Sequence, residues 1–118
     1  MVELIACLSL GKGTWASVSR LLSSEQWDKI YLLTNDFGIQ NFQKNAQTEL
    51  LLINDQLELV ALRDQIKQHL KERIKGMEVA VNFLSGSGKE HMALVAALLQ
   101  LGVAIHLVHA EERNLEEI

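Results

Sequence analysis

Residues 79–101 read VAVNFLSGSGKEHMALVAALLQL, an apolar run followed by a glycine-rich turn and then an alanine-rich segment. The run at 79–84 contains β-branched residues and has the length of a strand. The segment 89–101 is apolar at helical spacing, and Gly102 follows it as a helix stop. A strand that enters a helix through a short turn is the repeating unit of α/β folds, so we predict this unit here.

Four other apolar runs, at residues 2–8, 30–33, 50–53 and 103–108, also have strand length. Because they show little alternation of apolar with polar residues, we predict strands buried on both faces, as in a parallel sheet covered by helices. A helix is predicted over residues 57–75, closed by Gly76, and a shorter one is marked by Trp15, Val18 and Leu22. Residues 37–47 are weakly helical.

Alternating strands and helices predict an α/β fold in which helices lie on both faces of a doubly wound, mainly parallel, Rossmann-like sheet of five to six strands. At 118 residues the chain fits one domain, spanning 1–118. A sixth strand is not evident from the residues. The acidic tail 111–118 is predicted to be solvated, with a helix at an interface as the alternative.

Composition excludes several functional classes. The net charge of −4 argues against affinity for long nucleic acid, which requires an excess of Lys and Arg. No apolar stretch approaches the roughly 20 residues needed to cross a bilayer, and Glu3 lies where a signal peptide would be basic. We therefore expect no membrane partner and a cytoplasmic protein. Cys7 lies within an apolar run, where we expect a buried and inert thiol.

Two glycine-rich loops are predicted at the carboxyl ends of strands, where open parallel sheets bind their ligands. Glycines let the backbone approach an anion, free amides at a helix start point towards it, and Lys and hydroxyl groups add charge and donors. We favour a phosphate-bearing ligand over the alternative that both loops are simple tight turns. The candidate ligand-binding residues are Leu10, Gly11, Lys12, Gly13, Thr14, Asn35, Asp36, Ser85, Gly86, Ser87 and Gly88.

Known nucleotide motifs do not fit these loops. A nucleotide triphosphatase loop requires glycine and a hydroxyl residue where Phe83 and Glu90 lie, and neither loop has the three-glycine spacing of a dinucleotide site. His106 and His109 have an odd spacing on a predicted strand, which places them on opposite faces and argues against shared metal ligation. Trp15 near the first loop is expected in the core, with base stacking as the alternative.

The first strand, ending in Ser9-Leu10-Gly11, and the late strand that leads through residues 85–89 into an alanine-rich helix resemble the CRISPR-associated Rossmann fold (CARF) domains. The family pattern has Gly-Thr where this chain has Ser87-Gly88. The resemblance spans nearly the whole chain in element order. It implies a standalone homodimer that binds a cyclic oligoadenylate, most simply cyclic tetra-adenylate, across its two-fold axis.

Standalone members of this family include ring nucleases, which switch off CRISPR antiviral signalling by letting a ribose 2′-hydroxyl attack the neighbouring phosphate without a metal or other cofactor. On this hypothesis the catalytic candidates are Lys89 for phosphorane charge, Ser9 for holding the phosphate, and His91 as the acid, with Lys12 as its alternative. Two other functions remain open: a sensor that binds the ring without cutting it, and a flavodoxin-like protein-interaction domain. A mononucleotide or flavin at the same strand ends is a further alternative.

Overall fold

The computed structural model describes residues 2–8, 12–111 and 114–118, and it describes Lys12 by its backbone only. This part of the chain forms one six-stranded sheet with four α-helices and a short 3-10 turn at Lys12–Thr14. The strands are β1 (Glu3–Cys7), β2 (Lys29–Thr34), β3 (Thr48–Leu52), β4 (Glu78–Asn82), β5 (Ala104–Glu111) and β6 (Asn114–Glu117). The helices are α1 (Trp15–Ser23), α2 (Asp36–Asn41), α3 (Leu59–Lys71) and α4 (Gly88–Leu101).

The strand order is β3-β2-β1-β4-β5-β6, and β1 to β5 are parallel. The chain therefore winds outward from β1 in one direction through β2 and β3 and in the other through β4 and β5. The predicted doubly wound, Rossmann-like sheet is confirmed. The order reverses between β1 and β4, and in open α/β sheets the crevice at this reversal is the usual place for a ligand.

Helices cover both faces of the sheet and produce two apolar clusters. On one face, Leu62 and Ile66 of α3 and Leu94 and Leu98 of α4 are fully buried against the sheet. On the other face, α1 packs through Val18 and its neighbours. Burial of each such aliphatic side chain stabilises the fold by about 1.5 to 3 kcal/mol, so the two layers together hold the strand ends in fixed positions.

The helix predictions are confirmed in place and differ in length. Helix α4 begins after Ser87, which forms a reciprocal capping box with Glu90, and it ends at Gly102 with φ 72°. Helix α3 is shorter than the predicted 57–75, and the weak helix predicted at 37–47 shortens to the six residues of α2. Helix α2 ends because Phe42 adopts an extended backbone, whereas α3 ends at Lys71 although apolar spacing continues to Ile74.

The described residues of the acidic tail, Glu111 and 114–118, are mostly exposed, as expected of a solvated tail, but they form strand rather than a frayed end or a helix. Glu111 ends β5, and Asn114–Glu117 form β6, an antiparallel edge strand paired with β5 through Ala110↔Leu115 and its neighbours. The amide of Ile118 extends the pairing by donating to the carbonyl of Leu107 at 2.8 Å. Backbone pairing across the hairpin supplies the order that the polar sequence of this strand does not suggest.

Candidate ligand-binding site

Two loops that follow β1 and β4 contact each other at the carboxyl ends of the strands. The hydroxyl of Thr14, at the end of the first loop, donates to the hydroxyl oxygen of Ser85 in the second loop at 2.7 Å. Ser85 is only 1 % exposed, so this contact lies beneath the surface. The predicted neighbours are therefore brought together at the point where the strand order reverses.

The first loop is described only in part. Ser9, Leu10 and Gly11 lie outside the described residues, as does the side chain of Lys12. Gly13 is exposed, and the 3-10 turn that contains it leads into Thr14 and α1. Of the predicted first loop, the structure therefore describes only the part from Lys12 to Thr14, and Thr14 anchors this part to the loop after β4.

Gly86 lies directly on the end of β1. Its φ is +101°, and a Cβ built on it would lie 2.8 Å from the Cβ of Cys7. Only glycine combines this backbone conformation with so close an approach. The second loop is therefore pressed onto the central strand, which fixes the start of α4 over the crevice.

The start of α4 offers two backbone donors. Ser87 accepts from the Glu90 amide at 3.2 Å, and the Glu90 carboxylate accepts from the Ser87 amide at 2.9 Å. Among the described residues nothing accepts from the amides of Gly88 and Lys89, and both residues are exposed. The first amides of a helix are donors suited to an anion, and the helix dipole favours negative charge at the same place.

Lys89 lies on the first turn of α4 and is held by two backbone carbonyls. Its ammonium donates to the carbonyl of Asp55 at 2.7 Å and to that of Leu57 at 2.9 Å. An ammonium carries three N–H donors, so one remains for a ligand. The predicted catalytic lysine is thus at the predicted rim and also joins α4 to the loop that follows β3.

His91 supports the second loop from within. Its Nε2 lies 2.7 Å from the carbonyl oxygen of Ser85, which requires Nε2 to carry the proton and donate, and its ring packs on Phe83 with centroids 4.8 Å apart. Nε2 is therefore engaged, and Nδ1 is the nitrogen left for acid–base chemistry. The structure places this predicted catalytic residue beneath the second loop, half-buried.

The predicted polar pair after β2 divides into a structural and an exposed residue. Asn35 caps α2, because its side-chain oxygen accepts from the Gly38 amide at 3.1 Å. Asp36 is exposed in the first turn of the same helix. Asp36 is thus the member of the pair whose side chain faces solvent at this edge.

An aromatic cluster, which sequence reasoning missed in part, adjoins the site. Trp15 is 9 % exposed and contacts Phe37 and Phe42, with ring centroids 5.7 and 5.5 Å apart, so the core prediction for Trp15 is confirmed. Phe37 is 40 % exposed and lies two residues after Asn35. An aromatic residue three positions after the end of β2 is the sequence signal that would have identified Phe37.

Cys7 is not a nucleophile in this fold. It is 1 % exposed, and burial, together with the nearby Glu90 carboxylate, raises the pKa of its thiol far above the usual range. A thiol must ionise to react, so the prediction of an inert buried cysteine is confirmed.

The other histidines bind carboxylates or backbone at some distance from the crevice. His106 Nδ1 lies 2.7 Å from a Glu117 carboxylate oxygen, and His109 Nε2 lies 3.4 Å from Glu111. His69 Nε2 lies 2.7 Å from the carbonyl of Leu52. Within residues 2–8, 12–111 and 114–118, no three His, Cys, Asp or Glu side chains converge as metal ligands would.

A cavity of about 610 Å³ lies at the opposite rim, by the amino ends of the strands. Four carboxylates and three cations surround it, and the buried Glu3 is already hydrogen-bonded: one carboxylate oxygen accepts from the amides of Lys75 and Gly76, at 2.9 Å each. Its other oxygen lies 3.3 Å from the hydroxyl of Tyr31. An excess of carboxylates repels phosphate, so this cavity does not suit the predicted ligand.

In the part of the chain that the structure describes, no helix is both long and apolar enough to span a bilayer. No protein-family model matches the chain, and no curated protein is detectably similar to it.

Proposed function

We propose that the carboxyl rim binds a cyclic oligoadenylate, with cyclic tetra-adenylate as the simplest ring. The observation that carries the proposal is the 2.7 Å hydrogen bond between Thr14 and Ser85, which joins the two glycine-rich loops where the strand order reverses. Two amide-bearing turns side by side can hold two neighbouring phosphates of one ligand. The choice of ring comes from the resemblance to CARF domains.

The donors at this rim suit an anion although the chain as a whole is acidic and the carboxylates of Asp36, Asp55 and Glu90 lie at the same rim. Lys89 contributes an ammonium with one uncommitted N–H, and the amides of Gly88 and Lys89 add donors along the axis of α4. These groups act on the ligand at short range. The net charge of −4 is spread over the surface, and salt largely screens its effect at longer distances.

A homodimer completes the proposal. A ring with two-fold symmetry is bound most simply by two copies related by a two-fold axis, each presenting its pair of loops to half of the ring. The proposal places this dimer in the cytoplasm, with no long nucleic acid and no membrane among its partners.

Cleavage would follow from the same arrangement without a metal. A ribose 2′-oxygen attacks the adjacent phosphorus, the bond from phosphorus to the 5′-oxygen breaks, and the products are a 2′,3′-cyclic phosphate and a 5′-hydroxyl. The proton of the 2′-hydroxyl leaves to a base, and the departing 5′-oxygen gains one from an acid. In this scheme Lys89 stabilises the charge on the phosphorane, and His91 would act through Nδ1.

Binding without cleavage is the second candidate, and the hydrogen bonds of the two described catalytic candidates favour it. The Lys89 ammonium donates to two backbone carbonyls, and the Nε2–H of His91 donates to the carbonyl of Ser85. Both side chains thus have structural roles that would position loops in a protein that senses or sequesters the ring. Turnover distinguishes the two candidates.

A thermal-shift series with cyclic tri-, tetra- and hexa-adenylate, run in chelator and followed by product analysis, tests the proposal. A ligand present at 100 times its Kd stabilises the fold by about 2.7 kcal/mol, so a clear rise in Tm is expected with one ring. Products with cyclic phosphate ends would establish the nuclease, and an intact ring would establish the sensor. No rise with any ring would contradict the proposal and would leave the protein-interaction domain as a remaining hypothesis.

A further inference from the structure

The loop that follows β3, residues 53–58, lies at the same rim as the two glycine-rich loops. β3 is parallel to β2, and the amide of Ile53 donates to the carbonyl of Thr34 at the end of β2 at 2.8 Å. From there the chain leads into α3, which packs beside α4 on the same face of the sheet. The loop therefore leads from the end of β3 towards the helix whose first turn lies at the same rim.

Lys89 joins this loop to the start of α4. Its two hydrogen bonds go to backbone carbonyls of residues 55 and 57, at 2.7 and 2.9 Å, and to no carboxylate. A lysine whose ammonium is used in this way fixes the path of the loop regardless of the loop's side chains. Loop 53–58 is thereby held against the same helical turn that offers its amides to an anion.

The loop is also ordered from within. The Gln65 side-chain oxygen of α3 accepts from the Asn54 amide at 2.8 Å, and the Asn54 side chain accepts from the Gln56 amide at 3.0 Å. A surface that is ordered before binding loses less conformational entropy when the ligand arrives. These tethers give the loop the rigidity that a binding wall needs.

We infer that loop 53–58 is a third wall of the crevice and that Lys89 is the positioning residue that holds it there, so that the loop contacts the nucleoside part of the ligand. The inference rests on the proposed function. It extends the site to a segment without glycine or lysine, and it gives Lys89 a structural role besides its phosphate contact.

The side chains of the loop suit hydrogen-bond donors rather than phosphate. Asn54 and Gln56 are exposed, and Asp55 is half-buried between them. A carboxylate repels phosphate oxygens and accepts from hydroxyl and amino groups, as ribose and adenine supply. The two glycine-rich loops then contact the phosphates, and loop 53–58 contacts the nucleoside.

Hydrogen exchange of the peptide 53–58 in the ligand-free protein tests the role of Lys89. With Lys89→Met, which removes both hydrogen bonds, we expect exchange at least fivefold faster, since about fivefold corresponds to the net contribution of a single hydrogen bond; with Lys89→Arg we expect partial recovery because a guanidinium also donates to carbonyls. Lys67→Met is the matched control, since Lys67 bridges α3 to Gln100 of α4 at 3.2 Å away from the loop. Unchanged exchange in Lys89→Met would overturn the positioning role.

Binding of cyclic tetra-adenylate tests the wall. Gln65→Ala removes the acceptor of the Asn54 amide and leaves Lys89 and both glycine-rich loops intact, so we expect about fivefold weaker binding. In the parent protein the ring should slow exchange at 53–58. A ring that binds the parent and the Gln65→Ala variant equally, with no protection of 53–58, would overturn the inference and leave the proposed function standing. No binding to the parent would remove both.

Discussion

At the amino rim of the sheet the polar groups bind one another, whereas at the carboxyl rim donors remain available. Glu3 accepts two backbone amides, and Arg73 donates to Glu49 at 2.9 Å and to the carbonyl of His69 at 2.7 Å. At the carboxyl rim the Gly88 and Lys89 amides have no acceptor among the described residues. The comparison teaches that the presence of a cavity is a poor guide here, because the cavity at the amino rim is lined in part by groups that are already paired.

Tyr31 is one of the paired groups of the amino rim. Burial, together with the Glu3 carboxylate, raises the pKa of Tyr31 to about 12, so its hydroxyl remains protonated at neutral pH. It donates to the carbonyl of Arg73 at 2.9 Å. The groups of this rim therefore act in stability, and substitutions there should affect folding more than ligand binding.

The largest effect is expected at Glu3. Glu3→Ala removes a buried carboxylate that accepts from the amides of Lys75 and Gly76, and because both are hydrogen bonds to a charged group we expect a loss of about 3 kcal/mol in the free energy of unfolding. Urea denaturation measures it. The control is Glu72→Ala, an exposed carboxylate at the same cavity, which should change stability little. Equal losses in the two variants would show that pairing of Glu3 does not stabilise this rim.

Gly86 should be the most sensitive glycine of the carboxyl rim. Gly86→Ala forces a Cβ onto Cys7 at a positive φ, which we expect to destabilise the protein by about 2 kcal/mol and to weaken ligand binding. Gly88→Ala is the matched control in the same loop, because a Cβ there meets nothing within 4 Å. If thermal melts rank the two variants in the opposite order, the close approach of this loop to β1 is wrong.

A smaller effect is expected at Thr14. Thr14→Val keeps the shape and removes the donor to the buried Ser85 hydroxyl, so the free energy of unfolding should fall by about 1 kcal/mol and affinity for the ring should fall with it. Thr14→Ser retains the hydroxyl and should behave like the parent. Full affinity in Thr14→Val would separate ligand binding from the contact between the two loops.

The smallest effect is a pH dependence at the edge of the sheet. Hydrogen bonding to Glu117, and then to Glu78, raises the pKa of His106, so the folded state favours its protonated form. This stabilisation is complete below the unfolded pKa of about 6.5 and is lost as pH rises through the higher folded value. His106→Gln should abolish the decline in Tm that begins as the pH rises above about 6.5. A decline of the same size in the variant would assign it to another group.

Much of the fold was predictable because its signals are local. The five apolar runs became the five parallel strands, and the apolar spacing of α4 with Gly102 gave that helix and its end. β6 was missed because its residues are mostly polar and its order comes from pairing with β5 across the hairpin, which no local pattern records.

The meeting of the two loops was predictable, and the hydrogen-bond partners of their side chains were less so. Glycines and hydroxyl residues after β1 and β4 identified the rim, because strand ends of a parallel sheet meet there. The partners of Lys89 and His91 are backbone carbonyls of residues 55, 57 and 85. Every residue has a backbone carbonyl, so residue types do not reveal these partners. Loop 53–58 was missed for the same reason.

The most direct test of the central claim is a two-dimensional ¹H–¹⁵N NMR titration of the protein with cyclic tetra-adenylate, which compares the two rims in one sample. We predict that the amide signals of Gly86, Gly88 and Lys89 shift on binding, while those of Lys75 and Gly76 remain in place. Shifts confined to Lys75 and Gly76, or no shift at either rim at saturating ligand, would contradict the account.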